Sequence, residues 1–486
     1  MSIRSIGVLL LILVLPPSFR LVAQTDSCSI AWEPIQQISH DSVYSYVPQV
    51  LAVGDTVHMI WWGTYTTGVV GDSGKGIQYS RSTDGGQTFL PERQLVTLDS
   101  SRGTTGCLAA SGSYLYMMYL ALVDSPAYSN TGLLRSTDAG LTWEPRRLLG
   151  DISPRAITTK DSNVYIYFFY VENNFARSGF YMSHDYGVTW DSIHVPAIRA
   201  SDLVQLVSTP MALHMTRRRA VGSGLEVFYN RSFDFGYTWT HDDTLSSVDG
   251  FNSQAARFAG EKNGNLYLVW NDQKYGGGFS GTIVMRRSTD EGLTWLPEQI
   301  VSQLATAVFC DVAVEGSTVA VTWDNDLGTF DAIRIKLSQN YGESWCQMVD
   351  ASVDTSHAGD PSVSVDNGRI NLTWSQSGEV FYRRGLFQPT SVKEQHSLPS
   401  VMTLEPNYPN PFNPVTVIRY TLPAASYVTM KVYSLLGEEV ATLLSENKAP
   451  GKYQIEWDAG NYPSGVYFYR LQSEKQTLTK KMLLLR

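Results

Sequence analysis

The sequence predicts an all-β chain: a seven-bladed β-propeller closed by its own N-terminal strand, with six blades as the alternative, followed by a C-terminal immunoglobulin-like β-sandwich. Three observations predict it. A Ser-x-Asp-x-Gly-x-Thr-Trp stretch recurs through most of the chain at a spacing near fifty residues. Pairs of β-patterned runs joined by tight turns precede each copy. The last eighty or so residues change to a different series of alternating strands. Composition agrees: aromatic residues are 12% and charged residues only 17% of 486, with 39 glycines, a balance that favours turn-rich β structure. The net charge of -9 leaves no basic footprint for neutralising phosphates, so a nucleic-acid partner is excluded.

The repeat reads RSTDGGQTF (81–89), RSTDAGLTW (135–143), SHDYGVTW (183–190), SFDFGYTW (232–239), RSTDEGLTW (287–295) and SQNYGESW (338–345). Its acidic position is Asp84, Asp138, Asp185, Asp234 and Asp290, with Asn340 in the sixth copy, so successive spacings are 54, 47, 49, 56 and 50. A period near fifty is that of propeller blades or solenoid units. Runs such as PQVLAVGDTVHMIWW, ITTKDSNVYIYFFY, ARFAGEKNGNLYLVW and VAVEGSTVAVTW supply two strands and a hairpin turn. A third strand enters the motif and a fourth leaves it, and four antiparallel strands make one blade. A seventh unit, GDPSVSVDNGRINLTWSQSGEVFYRRG (359–385), has three strands and no motif. AWEPIQQIS (31–39) resembles the fourth strands TWEPRRLLG and TWLPEQIVS. It is expected to complete that last unit and hide an open edge.

The motif suits the hairpin between the third and fourth strands. Its Asp can accept N–H bonds from its own turn, its Gly can take a positive φ, and its Trp can bury a large ring. If strands alternate in direction, these turns share one face with the turns between first and second strands. A ligand site is expected on the opposite face and in the central channel. Asn340 fits the structural role, since an amide can cap a turn but cannot act as a general acid.

The two ends carry address signals. Arg4, the apolar run IGVLLLILVL and a small residue at Ala23 read as an export signal over 1–23, and no later run is long and apolar enough for a transmembrane helix. Four cysteines, Cys28, Cys107, Cys310 and Cys346, form no CxxC pair, so no metal is expected, and no cofactor. Export allows a disulfide; Cys28 and Cys346 both neighbour outer-strand sequences and are the better pair. The propeller is placed at 30–386, a polar linker at 387–404 and the C-terminal domain at 405–486.

The repeated motif resembles the Asp-box, or BNR, repeat of the sialidase superfamily. That resemblance implies a propeller, and in the sialidases three arginines, a Tyr–Glu nucleophile pair and an Asp acid/base. A guanidinium cluster suits a substrate carboxylate because it can bond in bidentate fashion. The family's first arginine lies in a Phe/Tyr-Arg-Ile-Pro stretch; the corresponding segment here is SYVP, and Tyr46 stands where the arginine is expected. Other arginines lie near inner strands, namely the site candidates Arg155 and Arg257, with Arg102 and the run Arg217 to Arg219, but none restores the missing motif. For a glycoside hydrolase, which needs two carboxylates flanking a bond, the candidates are Asp272, Asp324 and Asp326 near second-strand ends, with Asp311 on an inner strand. Candidate ligand-stacking rings are Trp62, Trp270 and Trp323.

The segment from 405 carries YPNPFNP, VYSLLGEEV, WDAG and SGVYFYRL, then a basic TKKMLLLR end. It resembles the C-terminal sorting domain of the type IX secretion system. This implies passage through that machinery to the outside or the surface of a Gram-negative bacterium. The reading is of a secreted propeller that binds extracellular glycans or glycoproteins without a complete sialidase site. An exo-α-sialidase or other glycoside hydrolase is the first alternative, and a non-catalytic surface scaffold the second.

Overall fold

The computed structural model describes residues 30–486 apart from 41, 67–72, 99–102, 123–128, 146, 150–151, 174, 196–203, 262, 277–279, 303–305, 327–330, 353–356, 388–401, 424–425, 449–450, 474–475 and 486. The export signal, Cys28, Arg102 and most of the linker lie outside them. The described residues are almost entirely β, and the chain divides into two compact units, 1–389 and 390–486.

The first unit is built from seven consecutive antiparallel sheets among the described residues. Sheet one runs Ser42–Val53, Thr56–Thr66, Ser73–Ser82 and Arg93–Leu98. Sheet two runs Gly103–Ser111, Tyr114–Leu122, Ser129–Ser136 and Arg147–Leu148. Sheet three runs Ser153–Lys160, Asn163–Glu172, Phe175–Ser183 and Asp191–Val195. Sheet four runs Val204–Ser208, Leu213–Val221, Gly224–Ser232 and Asp243–Thr244. Sheet five runs Ser253–Gly260, Leu266–Asp272, Thr282–Ser288 and Gln299–Ile300. Sheet six runs Ala307–Glu315, Thr318–Asp326, Asp331–Ser338 and Val349–Asp350. Sheet seven takes Ala358–Asp366, Arg369–Gln376 and Glu379–Phe387 from the end of the unit. Its outer edge comes from the start of the chain: Ala31 pairs with Leu386, and Gln36 with Tyr382.

Apolar clusters lie on both faces of the sheets, which explains why the second strands of sheets one, two and three carry apolar runs without alternation, as in IWW, YMMY and YIYFFY. One apolar cluster fills each junction between consecutive sheets, for example Trp62 and Ile77 with Leu115 and Met117, or Tyr167 and Phe180 with Leu206 and Met215. The same kind of cluster joins sheet seven to sheet one, where Val380 and Tyr382 pack with Val57, Met59 and Trp61. The first strands are tied sideways by polar bonds. Leu108 N donates to Gln49 Oε1 (3.3 Å), the Thr159 hydroxyl to the Ala110 carbonyl (2.6 Å) and the Ser208 hydroxyl to the Thr159 carbonyl (2.8 Å). Val363 N donates to Asp311 Oδ2 (2.9 Å), and Ala52 N to Ser364 Oγ (3.0 Å).

Cys346 is disulfide-bonded, whereas Cys107 and Cys310 are free thiols.

The second unit has a three-stranded sheet (Thr403–Leu404, Val415–Leu422, Gly451–Asp458) and a four-stranded one (Glu439–Lys448, Ser426–Ser434, Gly465–Ser473, Thr477–Leu484). Alternate residues such as Ile418, Tyr420 and Leu422, and Val428, Met430 and Val432, point into one core, the period-two pattern of half-buried strands. The Asn- and Pro-rich stretch ties the two ends of this unit together. Phe412 is buried, its N–H donates to the Leu483 carbonyl (3.0 Å), and Leu483 N donates to Asn410 Oδ1 (2.9 Å).

Candidate functional site

The repeated carboxylates fold back on their own hairpins. At Asp84, the Ser82 hydroxyl donates to Oδ1 (2.6 Å) while accepting from Gly86 N (2.9 Å), and Thr88 donates its N–H (2.9 Å) and hydroxyl (2.6 Å). The same set recurs at Asp138, Asp185, Asp234 and Asp290. Asn340 keeps it with one reversal: Oδ1 accepts from Ser338 and from Ser344 N, and Nδ2 donates to Ser344 Oγ (2.9 Å). The next residue reaches the turn between first and second strands, as in Ala139 N to the Ser113 carbonyl (2.8 Å) and Tyr341 N to the Ser317 carbonyl (2.8 Å). Both turns at this end of a sheet are thereby locked together.

Four of the six motifs clasp the preceding sheet through a ring contact. The motif's aromatic residue packs on an aromatic ring there: Phe89 on Tyr382, Trp143 on Tyr79, Trp239 on Phe180 and Trp295 on Tyr229, with centroids 4.8–5.5 Å apart. Arg81 and Arg287 reach across to the motif carbonyls of Ala139 (2.8 Å) and Tyr341 (2.9 Å) in the following sheets.

These bonds hold the motif carboxyls low. At Asp84 partial burial acts upward, but the bonds from Ser82 and Thr88 outweigh it and bring the group to about 2; at Asp138 the Thr142 hydroxyl and N–H do the same. A carboxyl depressed by folding contributes stability above its unfolded value near 4, and loses it as pH falls towards 2. The protein is therefore expected to lose stability steeply between pH 4 and pH 2. Thermal melts should show Asp138→Asn, which copies the Asn340 arrangement, costing less than Asp138→Ala, which costs about 1–2 kcal/mol at pH 7.

The opposite end of the sheets is shaped by β-bulges. The first strands of sheets one, two, three, five, six and seven each shift register there, between Tyr46 and Gln49, Thr104 and Cys107, Pro154 and Ala156, Gln254 and Arg257, Ala307 and Cys310, and Gly359 and Ser362. Val47, Ala255 and Asp360 in these bulges have φ of 50°, 53° and 51°. A bulge re-aims side chains and is a common neighbour of functional sites. Here it leaves Tyr46, Arg155 and Phe309 exposed.

The structure brings Arg257, Asp311 and Asp324 within electrostatic reach of Cys310, whereas Asp272 and Arg155 stand among other neighbours. Asp324 is buried, and its Oδ1 accepts from Val308 N (3.2 Å) and Phe309 N (2.6 Å), so it caps the bulge of sheet six. Burial pushes its carboxyl up to about 7 against those two bonds, with Asp360 and Asp331 adding to the rise. Asp272 is 1% exposed and starts a short 3-10 turn, accepting from Lys274 N (3.0 Å) and Trp270 Nε1 (3.2 Å). Asp326 ends the second strand of sheet six. Asp311 bonds Val312 N and Val363 N (both 2.9 Å), and burial raises its carboxyl. Arg155 lies over the Phe169 ring at 5.4 Å. Arg257 is half-buried on sheet five, where its charge opposes the upward pull of burial on the Cys107 and Cys310 thiols, the latter pushed to about 12.

The expectation that Trp62, Trp270 and Trp323 present rings to a ligand is corrected: they are 2%, 0% and 0% exposed. Strand alternation turns one side chain towards each neighbouring sheet, not one towards solvent. Rings that are exposed at this end of the sheets include Tyr44 (62%), Tyr46 (42%) and Phe309 (46%), the tyrosines missed because a Tyr-rich chain gives no reason to single them out. The SYVP segment, whose Tyr46 replaces an expected arginine, was the available signal. These tyrosines line an open groove of about 370 Å³ with Asp331, His357, Gln376 and Gly378. His357 Nδ1 and Asp331 Oδ2 are 2.8 Å apart, and the Ser375 hydroxyl donates to Asp360 Oδ2 (3.1 Å).

Two families match the chain: the BNR repeat-like domain over residues 112–408 and the secretion system C-terminal sorting domain over 407–485. No curated protein matches. Among solved structures the chain is similar to the Hadza microbial sialidase Hz136, at 16% identity and a TM-score of 0.45, covering 60% of this chain and 66% of that one. It is also similar to YCF48 bound to D1 peptide (17%, 0.47, 74% and 95%) and to the Trypanosoma rangeli sialidase in complex with the inhibitor DANA (10%, 0.45, 90% and 85%).

Proposed function

Because the chain belongs to the BNR repeat-like domain family and ends in a secretion-system sorting domain, we propose that it is an exported, seven-bladed β-propeller that binds extracellular glycans or glycoproteins. The apolar junction between sheets seven and one, and the N-terminal strand on sheet seven, support a closed ring. The sorting domain supports export through the type IX machinery, after removal of the 1–23 signal, to the medium or the outer surface of a Gram-negative bacterium. We read that domain as an immunoglobulin-like sandwich of its two sheets.

The observation that carries the binding reading is the set of bulges, which put exposed Tyr46, Arg155 and Phe309 at the end of the first strands opposite the motif hairpins. Tyr46 in place of the expected arginine speaks against a complete sialidase site. Incubation with a fluorogenic sialoside and a polysaccharide panel, beside a glycan array, tests this. Binding without turnover is expected.

One observation favours hydrolysis as a second reading. Asp324 is held near 7 beside Asp360 and Asp331, and a glycosidase needs a carboxyl still protonated at neutral pH. Turnover that disappears in Asp324→Asn would establish it. Neither binding nor turnover would leave the surface-scaffold reading.

A further inference from the structure

Resting on the glycan-binding reading, we infer that the groove lined by Tyr44, Tyr46, Asp331, His357 and Gln376 is a stacking subsite for uncharged sugar rings and turns away sialosides and other acidic glycans.

Tyr44 and Tyr46 are two residues apart on one strand, so their side chains leave the same side of it. Both rings are held from behind. The Tyr44 ring edge lies on the backbone of Gly378, where an added Cβ would stand 3.0 Å from Tyr44 Cδ1. Gly378 has φ +82 and follows Ser377 at φ 53, a tight turn that favours glycine and in which a Cβ would crowd the ring. Ser45 N donates to the Gly378 carbonyl (2.6 Å) and Tyr44 N to Thr64 Oγ1 (3.0 Å), fixing the strand against that turn. Tyr46 rests on buried Trp62, with centroids 6.3 Å apart. Rings fixed before the ligand arrives lose little conformational freedom on stacking, and a tyrosine offers a broad apolar face with a polar tip.

The polar groups set the sign of the ligand. The groove's lining includes Asp331, and Asp360 and Asp324 stand close by; none of the described lining residues is lysine or arginine. A carboxylate-bearing sugar needs guanidinium or ammonium partners to repay its desolvation, and here it meets carboxylates. Sugar hydroxyls, by contrast, can donate to Asp331 and exchange bonds with His357 and Gln376.

The test uses the full mature chain and calorimetric titration with cellohexaose, maltohexaose, N-acetylchitohexaose, 3′-sialyllactose and oligogalacturonate. At least one neutral oligosaccharide is expected to bind, and the two acidic ones to bind at least about tenfold more weakly. Tyr44→Ala and Tyr46→Ala should each weaken neutral binding by about tenfold with an unchanged thermal midpoint, and Tyr44→Trp should restore it. Neutral binding untouched by both alanine variants, or tighter binding of an acidic glycan, overturns this inference and leaves glycan binding standing. No binding of any glycan here or on an array removes both.

Discussion

Asp324→Asn is expected to stabilise the protein at pH 8 and to leave it unchanged near pH 3. The folded carboxyl sits at about 7 against an ordinary 3.8, so the folded state holds a proton that the unfolded state releases. A group raised on folding contributes fully below its unfolded value, and that contribution is lost as pH rises through the folded one. Wild-type stability should fall between pH 4 and pH 7, by a total on the order of 4 kcal/mol. Asparagine removes this loss without removing the cap, because both bulge amides donate to Oδ1, which an amide carbonyl can replace. Asp324→Leu leaves Val308 N and Phe309 N without that acceptor and should cost about 2–5 kcal/mol at pH 4. Urea unfolding across this pH range reads both. An asparagine variant less stable than wild type at pH 8 would show that the ionised carboxylate is needed for the fold.

The second large effect is at the clasp between sheets. Gly292→Ala is expected to destabilise by about 3 kcal/mol or more. Its φ is +71, and the new Cβ would stand 1.8 Å from Tyr229 Oη. That hydroxyl is buried and bonded to His214 Nδ1 (2.8 Å), so the ring has nowhere to retreat. Gly54→Ala is the control: φ is +61, but nothing lies within 4 Å of the new atom, and the cost should stay near 1 kcal/mol. Equal losses at the two positions would mean that backbone strain alone governs the motif glycines and that the clasp contributes nothing.

The sequence made the all-β character legible because strand pairs, turn residues and motif recur together. It also made the N-terminal strand legible, since AWEPIQQIS repeats the pattern of other fourth strands and its Ala31 is found opposite Leu386. The bulges were not read. An extra residue in a strand leaves no periodic trace, although Pro48, Pro154 and Pro361 inside first strands were a usable sign, because proline enters a sheet mainly at edges and bulges. The tryptophans were misplaced for a related reason. Alternation tells which side of a strand a ring leaves, but only tertiary packing tells whether that side meets water or another sheet. Asp324 stood out as a chemical candidate, yet the partner that raises its interest, the bulge it caps, is fifteen residues away in the chain and had no sequence signature.

The most direct measurement compares two variants side by side for thermal stability and for binding of the tightest neutral oligosaccharide. Asp138→Ala should lower the melting temperature and keep the dissociation constant, because its carboxylate serves only its own hairpin. Tyr44→Ala should keep the melting temperature and lose the binding. Loss of binding or turnover in a fully stable Asp138→Ala protein would contradict the division of labour between the two ends of the sheets.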